Sequence, residues 1–282
     1  MYYGIITLSV IMFGLQFLFN RQYERESGND TASTFVFAFI YSIGGLIPLL
    51  IMNGFKFGTT LFTVLMALVT SLNSILYTFC SLKALARINL SLYSLFAMLG
   101  GMLLPFLVGI VFYSEPVTLG KILCVVIVTL ALALTVNKGE SSGGFWYYAG
   151  VFVLNGMSGV LSKLFQSAPF KKADAASYSV WIAIVTALLA AVVLIFIRKT
   201  VKKPNTKAVI YAAGYGVLNR MGNYLLLIAL AVLPASVQYP FITGGVMIVS
   251  TIISAIIGQK PSKKEIISVI LAFAGIPVLV IV

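Results

Sequence analysis

The sequence predicts an all-α polytopic membrane protein with ten transmembrane helices. Three observations predict it: 60% of the 282 residues are hydrophobic, 9% are charged, and long apolar runs recur along the whole chain. Too few polar residues are present to cover a water-soluble domain of this size. A helix needs roughly 20 apolar residues to cross a bilayer core of about 30 Å. The runs of that length are 2–20, 31–52, 60–82, 89–113, 117–137, 145–166, 175–197, 206–233, 235–258 and 263–282.

The first run is expected to remain in the protein as a helix. It lacks the basic start and the small-residue cleavage site of a secretory signal peptide. The runs are joined by short connections rich in turn-forming residues, such as Glu24 to Asp30 and Lys138 to Gly144. We therefore expect no soluble domain between the helices.

The formal net charge of +12 indicates a membrane setting and not a nucleic-acid partner. Most Lys and Arg residues lie in the short connections, where they set topology and contact anionic lipid. The connections after the odd-numbered runs are the more basic, which predicts that both termini lie outside, in a plasma membrane such as a bacterial inner membrane. There is no His, and Cys80 and Cys124 fall within apolar runs, so neither a metal nor another cofactor is expected.

The two halves of the chain resemble each other, which predicts a duplicated fold. A shift of 145 residues superimposes Ser91 on Ser236 and Gly100 on Gly245, and a shift of 144 superimposes the candidate helix cap Asp30 on Asp174. We predict two five-helix repeats, residues 1–140 and 141–282. Because five crossings is an odd number, the second repeat must be inverted. Inverted repeats place a binding site near the membrane midplane and permit alternating access.

A motif near the end of the first repeat resembles a known family. Pro105 is followed by Glu115-Pro116-Val117-Thr118, which is similar to the Pro...Glu-x-x-Thr pattern of the drug/metabolite transporter superfamily, in its ten-helix EamA-type branch. The resemblance implies a metabolite transporter built from two repeats. The second half departs from the pattern, with Ser250 and Lys260 at the positions equivalent to Pro105 and Glu115. Glu115 falls at a membrane boundary, where we expect a structural or gating role.

Arg220 lies near the middle of the eighth run, with Asn219 and Asn223 beside it. An Arg at this depth costs a few kcal/mol or more, so it must face protein, water or a ligand. The acidic residues all fall in connections or at helix ends, so none is an obvious partner. Two interpretations remain: Arg220 donates hydrogen bonds to carbonyls and amides of the protein, or it faces an aqueous cavity and binds an anionic group of the substrate.

Polar positions that recur in both halves lie in the third, fourth, eighth and ninth runs. We predict that these four helices line one cavity, and that its substrate-binding residues are Arg220, Asn219, Asn223, Ser74, Thr78, Tyr93, Gln238 and Tyr239. For Ser74 and Thr78 the alternative is a hydrogen bond to the carbonyl four residues earlier. Gly100 and Gly245 are expected to serve packing or a flexible helix break. The pattern Ala212-x-x-x-Gly216 predicts a close helix contact.

These features predict a transporter of a small polar metabolite, such as an amino acid or a related anionic or zwitterionic compound. The alternative substrate is an organic cation or quaternary amine held by an aromatic cage. Proton-exchanging export of cations is disfavoured, because the first run contains no acidic residue. A membrane enzyme or a scaffold is the alternative from another class. The runs lack the nucleophile with a base, or the metal ligands, that an enzyme would need.

Overall fold

The computed structural model describes residues 2–87, 90–134, 145–256 and 263–281. Within these ranges the chain forms ten α-helices and no β-strand, which confirms the predicted fold class and helix count. The predicted connection Lys138 to Gly144 and Lys260 lie outside the described residues. The helices are α1 Tyr2–Ser27, α2 Thr31–Met52, α3 Leu61–Leu85, α4 Leu90–Tyr113, α5 Leu119–Leu134, α6 Phe145–Ser167, α7 Ala175–Phe196, α8 Thr206–Leu230, α9 Ala235–Ile256 and α10 Lys263–Ile281.

Seven helices are long and apolar enough to cross a membrane on length and composition alone, and α5 is a shorter apolar helix. Helix α8 is not among the seven, although it is 25 residues long. Its polar residues Asn219, Arg220 and Asn223 lower the mean hydropathy of the segment. The fold must therefore shield the polar residues of this helix from lipid.

Four helices begin at capping residues that are equivalent in the two halves. The carboxylates of Asp30 and Asp174 each accept the backbone N–H three residues on, at 2.6 and 2.7 Å, which confirms the predicted caps of α2 and α7. Thr60 and Asn205 cap α3 and α8 in the same way. The sequence reading missed this second pair, although a shift of 145 residues relates the two positions. Such caps satisfy backbone donors that the helix itself leaves unpaired.

Several helix ends differ from the prediction, and the sequence explains two of them. Helix α1 extends to Ser27, so the expected connection from Glu24 to Asp30 is wrong for its first residues. The residues after the apolar run are polar, but they favour helical backbone. The helix ends before Gly28, whose φ of +77° is not helical. Helix α8 stops at Leu230 and not at residue 233. Pro234 follows closely and disfavours helical backbone in the residue before it.

Hydrogen bonds at the two ends of the bundle show which helix ends lie close together. The Ala173 N–H, after α6, donates to Thr63 Oγ1 at the start of α3, at 2.9 Å. Asn205 Nδ2, after α7, donates to Glu26 Oε2 near the end of α1, at 2.8 Å. We name the end of the bundle that holds the connections after α2, α4, α6 and α8 the even face, and the opposite end the odd face. These bonds place the start of α3 beside the connection after α6, and the end of α1 beside the connection after α7.

Helix pairs from different halves form the interior of the bundle. Helix α1 packs against α8 and α9, and α6 packs in the same way against α3 and α4, while α5 and α10 pack against each other. Glycines permit the closest approaches: a Cβ on Gly216 of α8 would meet the carbonyl of Tyr41 in α2. The close helix contact predicted from Ala212-x-x-x-Gly216 is thereby confirmed.

A methyl group at Gly100 tests the tight contact between α4 and α6. A Cβ there would lie 2.6 Å from the carbonyl carbon of Phe152, so we expect Gly100→Ala to destabilise the protein by about 1–3 kcal/mol. Gly4→Ala is the matched control, because nothing lies within 4 Å of its added Cβ. Both changes alter helix propensity alike. Thermal unfolding in detergent measures the difference, and equal melting temperatures for the two variants would contradict the packing described.

Candidate functional site

A cavity of about 170 Å³ lies inside the bundle and is lined by α1, α2, α3, α4, α6, α7, α8 and α9. Its lining residues include members from all four helices expected to form it, and α1, α2, α6 and α7 complete the wall. Sites for drug-sized molecules typically measure about 300–1,000 Å³. In this conformation the cavity therefore suits a small molecule.

Equivalent positions of the two halves both line this cavity. A shift of 145 residues relates many of the lining positions in pairs, one from each half. The cavity is thus built where the two halves meet. The pairs are Phe13 with Ser158, Phe17 with Ser162, Thr70 with Tyr215, Ser74 with Asn219, Thr78 with Asn223, Met98 with Thr243, and Gly101 with Val246.

Arg220 lines the cavity and is 6% exposed. Its Nη2 donates to Thr186 Oγ1 at 3.2 Å, and its guanidinium carbon lies 5.3 Å from the centre of the Tyr41 ring. Its Nε is buried and has no hydrogen-bond partner among the described residues. The salt bridge within the described part of the chain joins Lys163 to Glu115, so no carboxylate there neutralises Arg220. Guanidinium groups are not deprotonated in proteins, so Arg220 is a buried cation.

Three neighbours determine where the Arg220 side chain lies. Gly45 of α2 leaves room for it, since a Cβ at Gly45 would stand 2.9 Å from the Cβ of Arg220. Thr186 accepts the hydrogen bond from Arg220, and its own hydroxyl donates to the Ile182 carbonyl at 2.6 Å. Ser71 also donates to that carbonyl, at 3.1 Å. Ser71 and Thr186 are fully buried and form the support behind Arg220.

The other predicted polar residues of α3 and α8 also line the cavity. Asn219 Nδ2 donates to Gln16 Oε1 on α1 at 2.9 Å. Asn223, Ser74 and Thr78 each donate to the backbone carbonyl four residues earlier, at 2.8 Å. The two hydroxyls thus make the local bond considered as their alternative role, and at the same time they border the cavity.

Of the predicted residues of α4 and α9, the structure brings Tyr239 to the cavity and places Tyr93 and Gln238 behind its wall. The Tyr93 hydroxyl lies 2.6 Å from Ser81 Oγ, which ties α4 to α3. Gln238 Nε2 donates to the Leu226 carbonyl at 2.8 Å, which ties α9 to α8. The shift of 145 residues relates both ends of these two bonds. Each half therefore holds its third and fourth helices together at the same place.

Glu115 lies on the even face, outside the cavity lining, between α4 and α5. Its Oε1 accepts from Lys163 Nζ at 2.7 Å and from the Ala235 N–H at 3.0 Å, and its Oε2 accepts from the Ser236 N–H at 2.9 Å. Burial raises the pKa of the Glu115 carboxyl, but the bonds from Lys163 and the start of α9 outweigh it and leave the pKa below its usual value. The ionised Glu115 therefore links the connection between α4 and α5 to α6 and to the start of α9.

The two predicted glycines occupy tight contacts between helices. Gly100 of α4 lies against the backbone of α6 at Phe152. Gly245 of α9 lies against α1, where an added Cβ would be 2.8 Å from Val10 Cγ1. Both positions are places where only a hydrogen fits without movement of a neighbour.

Sequence reading missed the contribution of α6. Asn155, Ser158 and Ser162 follow one face of that helix at intervals of three and four residues, and all three line the cavity. This spacing was a usable signal. Gln16 of α1 also lines the cavity, but as a lone polar residue in an apolar run it carried no periodic signal.

Comparison with known proteins agrees with the fold. A model of the EamA-like transporter family matches residues 143–281, the second half of the chain. One solved crystal structure of a protein shares 15% sequence identity with this chain and superimposes on it with a TM-score of 0.74. The match covers 97% of this chain and 94% of the other, and it shows a shared fold. Comparison with curated proteins finds no match.

The family match and the ten-helix membrane fold therefore lead to one conclusion, which the motif around Glu115 had indicated. This chain belongs to the EamA-like transporter family, a branch of the drug/metabolite transporter superfamily, and is a multi-pass membrane protein.

Proposed function

We propose that this protein transports a small metabolite with an anionic group, such as an amino acid or a related compound, and binds it in the central cavity. The observation that carries the proposal is Arg220, a cation 6% exposed in the cavity wall with no carboxylate partner among the described residues. Burying an uncompensated charge is costly. A substrate carboxylate would offset that cost, since a guanidinium can bind it through two parallel hydrogen bonds.

The proposed substrate contacts come from facing helices of the two halves. Arg220 and its neighbours on α8 would bind the anionic group, and residues of α3, α6 and α9 would contact the rest of the molecule. We propose that Tyr93 and Gln238 act indirectly, by holding together the helices that carry these contacts. The proposed contact residues are Arg220, Asn219, Asn223, Ser74, Thr78 and Tyr239.

We further propose that transport occurs by alternating access between inverted repeats, residues 1–140 and 141–282. Three observations support it: the paired cavity positions, the paired helix caps, and the equivalent ties from α3 to α4 and from α8 to α9. If the two repeats exchanged conformations, the cavity would open first to one face and then to the other. Glu115 would hold the even face closed through its bonds to α6 and α9.

A second candidate substrate is an organic cation. Aromatic rings line a large part of the cavity, and the faces of such rings attract quaternary ammonium groups. The positive charge of Arg220 opposes this candidate. The aromatic lining residues are Phe13, Phe17, Tyr41, Tyr77, Tyr215 and Tyr239.

Thermal stabilisation of the purified protein by a panel of metabolites tests the proposed substrate class. We expect at least one small carboxylate to raise the melting temperature, because a ligand at 100 times its Kd adds about 2.7 kcal/mol of stability. Arg220→Gln should lose this effect. Stabilisation by tetramethylammonium but by no carboxylate, with a larger effect in Arg220→Gln, would contradict the proposal and favour the cation.

A further inference from the structure

The hydrogen-bonding groups around the cavity are of two kinds, acceptors and donors. The amides of Asn155 on α6 and Asn223 on α8 provide acceptors. Asn155 Nδ2 donates to the Ala97 carbonyl at 2.6 Å, and Asn223 Nδ2 donates to the Asn219 carbonyl at 2.8 Å. A backbone carbonyl can only accept, so these contacts fix which end of each amide is nitrogen. Asn155 and Asn223 therefore have Oδ1, an acceptor, for other partners.

Hydroxyl groups in the same walls have also committed their hydrogens. Each has one hydrogen and donates it to the carbonyl four residues earlier in its own helix, which leaves its oxygen as an acceptor. Ser158 Oγ already accepts one hydrogen bond, from Asn73 Nδ2 at 2.8 Å. The wall formed by α3 and α6, with Asn223 and the start of α7, thus presents mainly acceptors. The hydroxyls and their distances are Ser74 2.8 Å, Thr78 2.8 Å, Ser158 3.1 Å, Ser162 2.9 Å and Ser179 2.8 Å.

Donors collect on the wall formed by α1, α2 and α8. Arg220 has five N–H groups. Within the described chain one of them donates a hydrogen bond, to Thr186. Tyr41 and Tyr215 line the cavity next to it, with ring centres 5.5 Å apart, and their hydroxyls have no partner among the described residues. Gln16 adds a further amide donor, since its Oε1 accepts from Asn219. Arg220 and Asn223 are three residues apart on α8, where such residues are neighbours, so donor and acceptor walls meet there.

We propose that the cavity selects a carboxylate whose adjacent carbon carries a hydrogen-bond donor, either a hydroxyl or an ammonium group. The carboxylate pairs with Arg220, and the donor group binds Asn223 Oδ1, which makes Asn223 the residue that determines specificity. This inference rests on the proposed function and adds a requirement to it. A 2-oxo acid has the same carboxylate but only an acceptor next to it. It would leave Asn223 Oδ1 unpaired, which costs about 1–3 kcal/mol.

Matched ligands of one carbon skeleton test this requirement. Dissociation constants are measured for the full-length purified protein with alanine, lactate and pyruvate, and with the corresponding amino, hydroxy and oxo acids of five and six carbons. In each skeleton that binds, we expect the oxo acid to bind at least tenfold more weakly than the better of the other two. Equal affinity of the oxo acid would overturn the inference and leave the proposed function intact. Failure of every carboxylate to bind would overturn both.

Variants assign the preference to a residue. Asn223→Ala should reduce the ratio of the dissociation constant of the oxo acid to that of the donor-bearing acid to about threefold or less. Arg220→Gln should weaken the binding of the amino, hydroxy and oxo acids alike. Ser268→Ala is the matched control, because it removes a similar bond to the carbonyl four residues earlier, at 2.8 Å, on α10 away from the cavity. An unchanged ratio in Asn223→Ala would overturn the role of Asn223. The wild-type ratio decides the ligand requirement even if the variant fails to fold.

Discussion

Replacing Arg220 with glutamine is expected to lower uptake of the transported anion by about 100-fold or more while the amount of folded protein stays unchanged. Loss of one partner from a desolvated charge pair costs about 2–5 kcal/mol of binding. The fold should tolerate the change, since Arg220 makes one side-chain hydrogen bond within the described chain, and a glutamine amide can donate to Thr186 in its place. Initial rates in proteoliposomes measure the effect.

Two further variants separate charge from geometry in this experiment. Arg220→Lys keeps the charge but loses the planar fork, so we expect partial uptake. Arg87→Gln is the matched control: Arg87 also lies over a tyrosine ring, Tyr147, with 4.5 Å from its guanidinium carbon to the ring centre, but it is exposed and outside the cavity lining. Uptake that is equal in Arg220→Gln and wild type would rule out Arg220 as the anion-binding residue.

Glu115→Gln is expected to destabilise the protein by about 3 kcal/mol. Removing one member of a buried ion pair costs about 3–5 kcal/mol because the other charge is left without compensation. The lower end applies here, since the side chains of Lys163 and Glu115 keep 11% and 8% of their exposure. Unfolding of purified protein in detergent measures the change. Glu26 is an exposed carboxylate that accepts a hydrogen bond from Asn205, so Glu26→Gln should have little effect on stability.

The same carboxylate predicts how stability depends on pH. The pKa of Glu115 in the folded protein lies below its ordinary value of 4.5, so the ionised form stabilises the fold above that value. This contribution should be complete between pH 7 and pH 5, and it should be lost as the pH falls through the lowered pKa. Glu115→Gln should lack this part of the acid-induced loss. If the stability of Glu115→Gln fell as steeply with acid as that of the wild type, the role assigned to Glu115 would be contradicted.

Hydrophobic runs were sufficient to predict the ten helices, because each helix of this fold buries an apolar surface in lipid or in the bundle. They were insufficient for the end of α1. Residues from Arg21 to Ser27 are polar but helical, since their helix propensity and the stop at Gly28 set that boundary and hydrophobicity does not. The caps at Asp30 and Asp174 were readable from residue type alone.

Arg220 could be identified from the sequence because a charge within an apolar run has few tolerable surroundings. In the structure one of its nitrogens donates to Thr186 and the side chain lines the cavity, while binding of a substrate anion stays a prediction. The location of Tyr93 and Gln238 could not be predicted. Periodicity indicates which face of a helix a residue occupies, but it does not indicate which neighbouring helix covers that face.

Determining a ligand-bound structure tests the central claim most directly. The protein would be prepared with the carboxylate that gives the largest thermal stabilisation, and the position of that ligand would be determined by crystallography or electron microscopy. We predict carboxylate oxygens within about 3 Å of the Arg220 guanidinium nitrogens, inside the cavity between α3, α6 and α8. A carboxylate bound elsewhere, with Arg220 still bonded only to Thr186, would contradict this account.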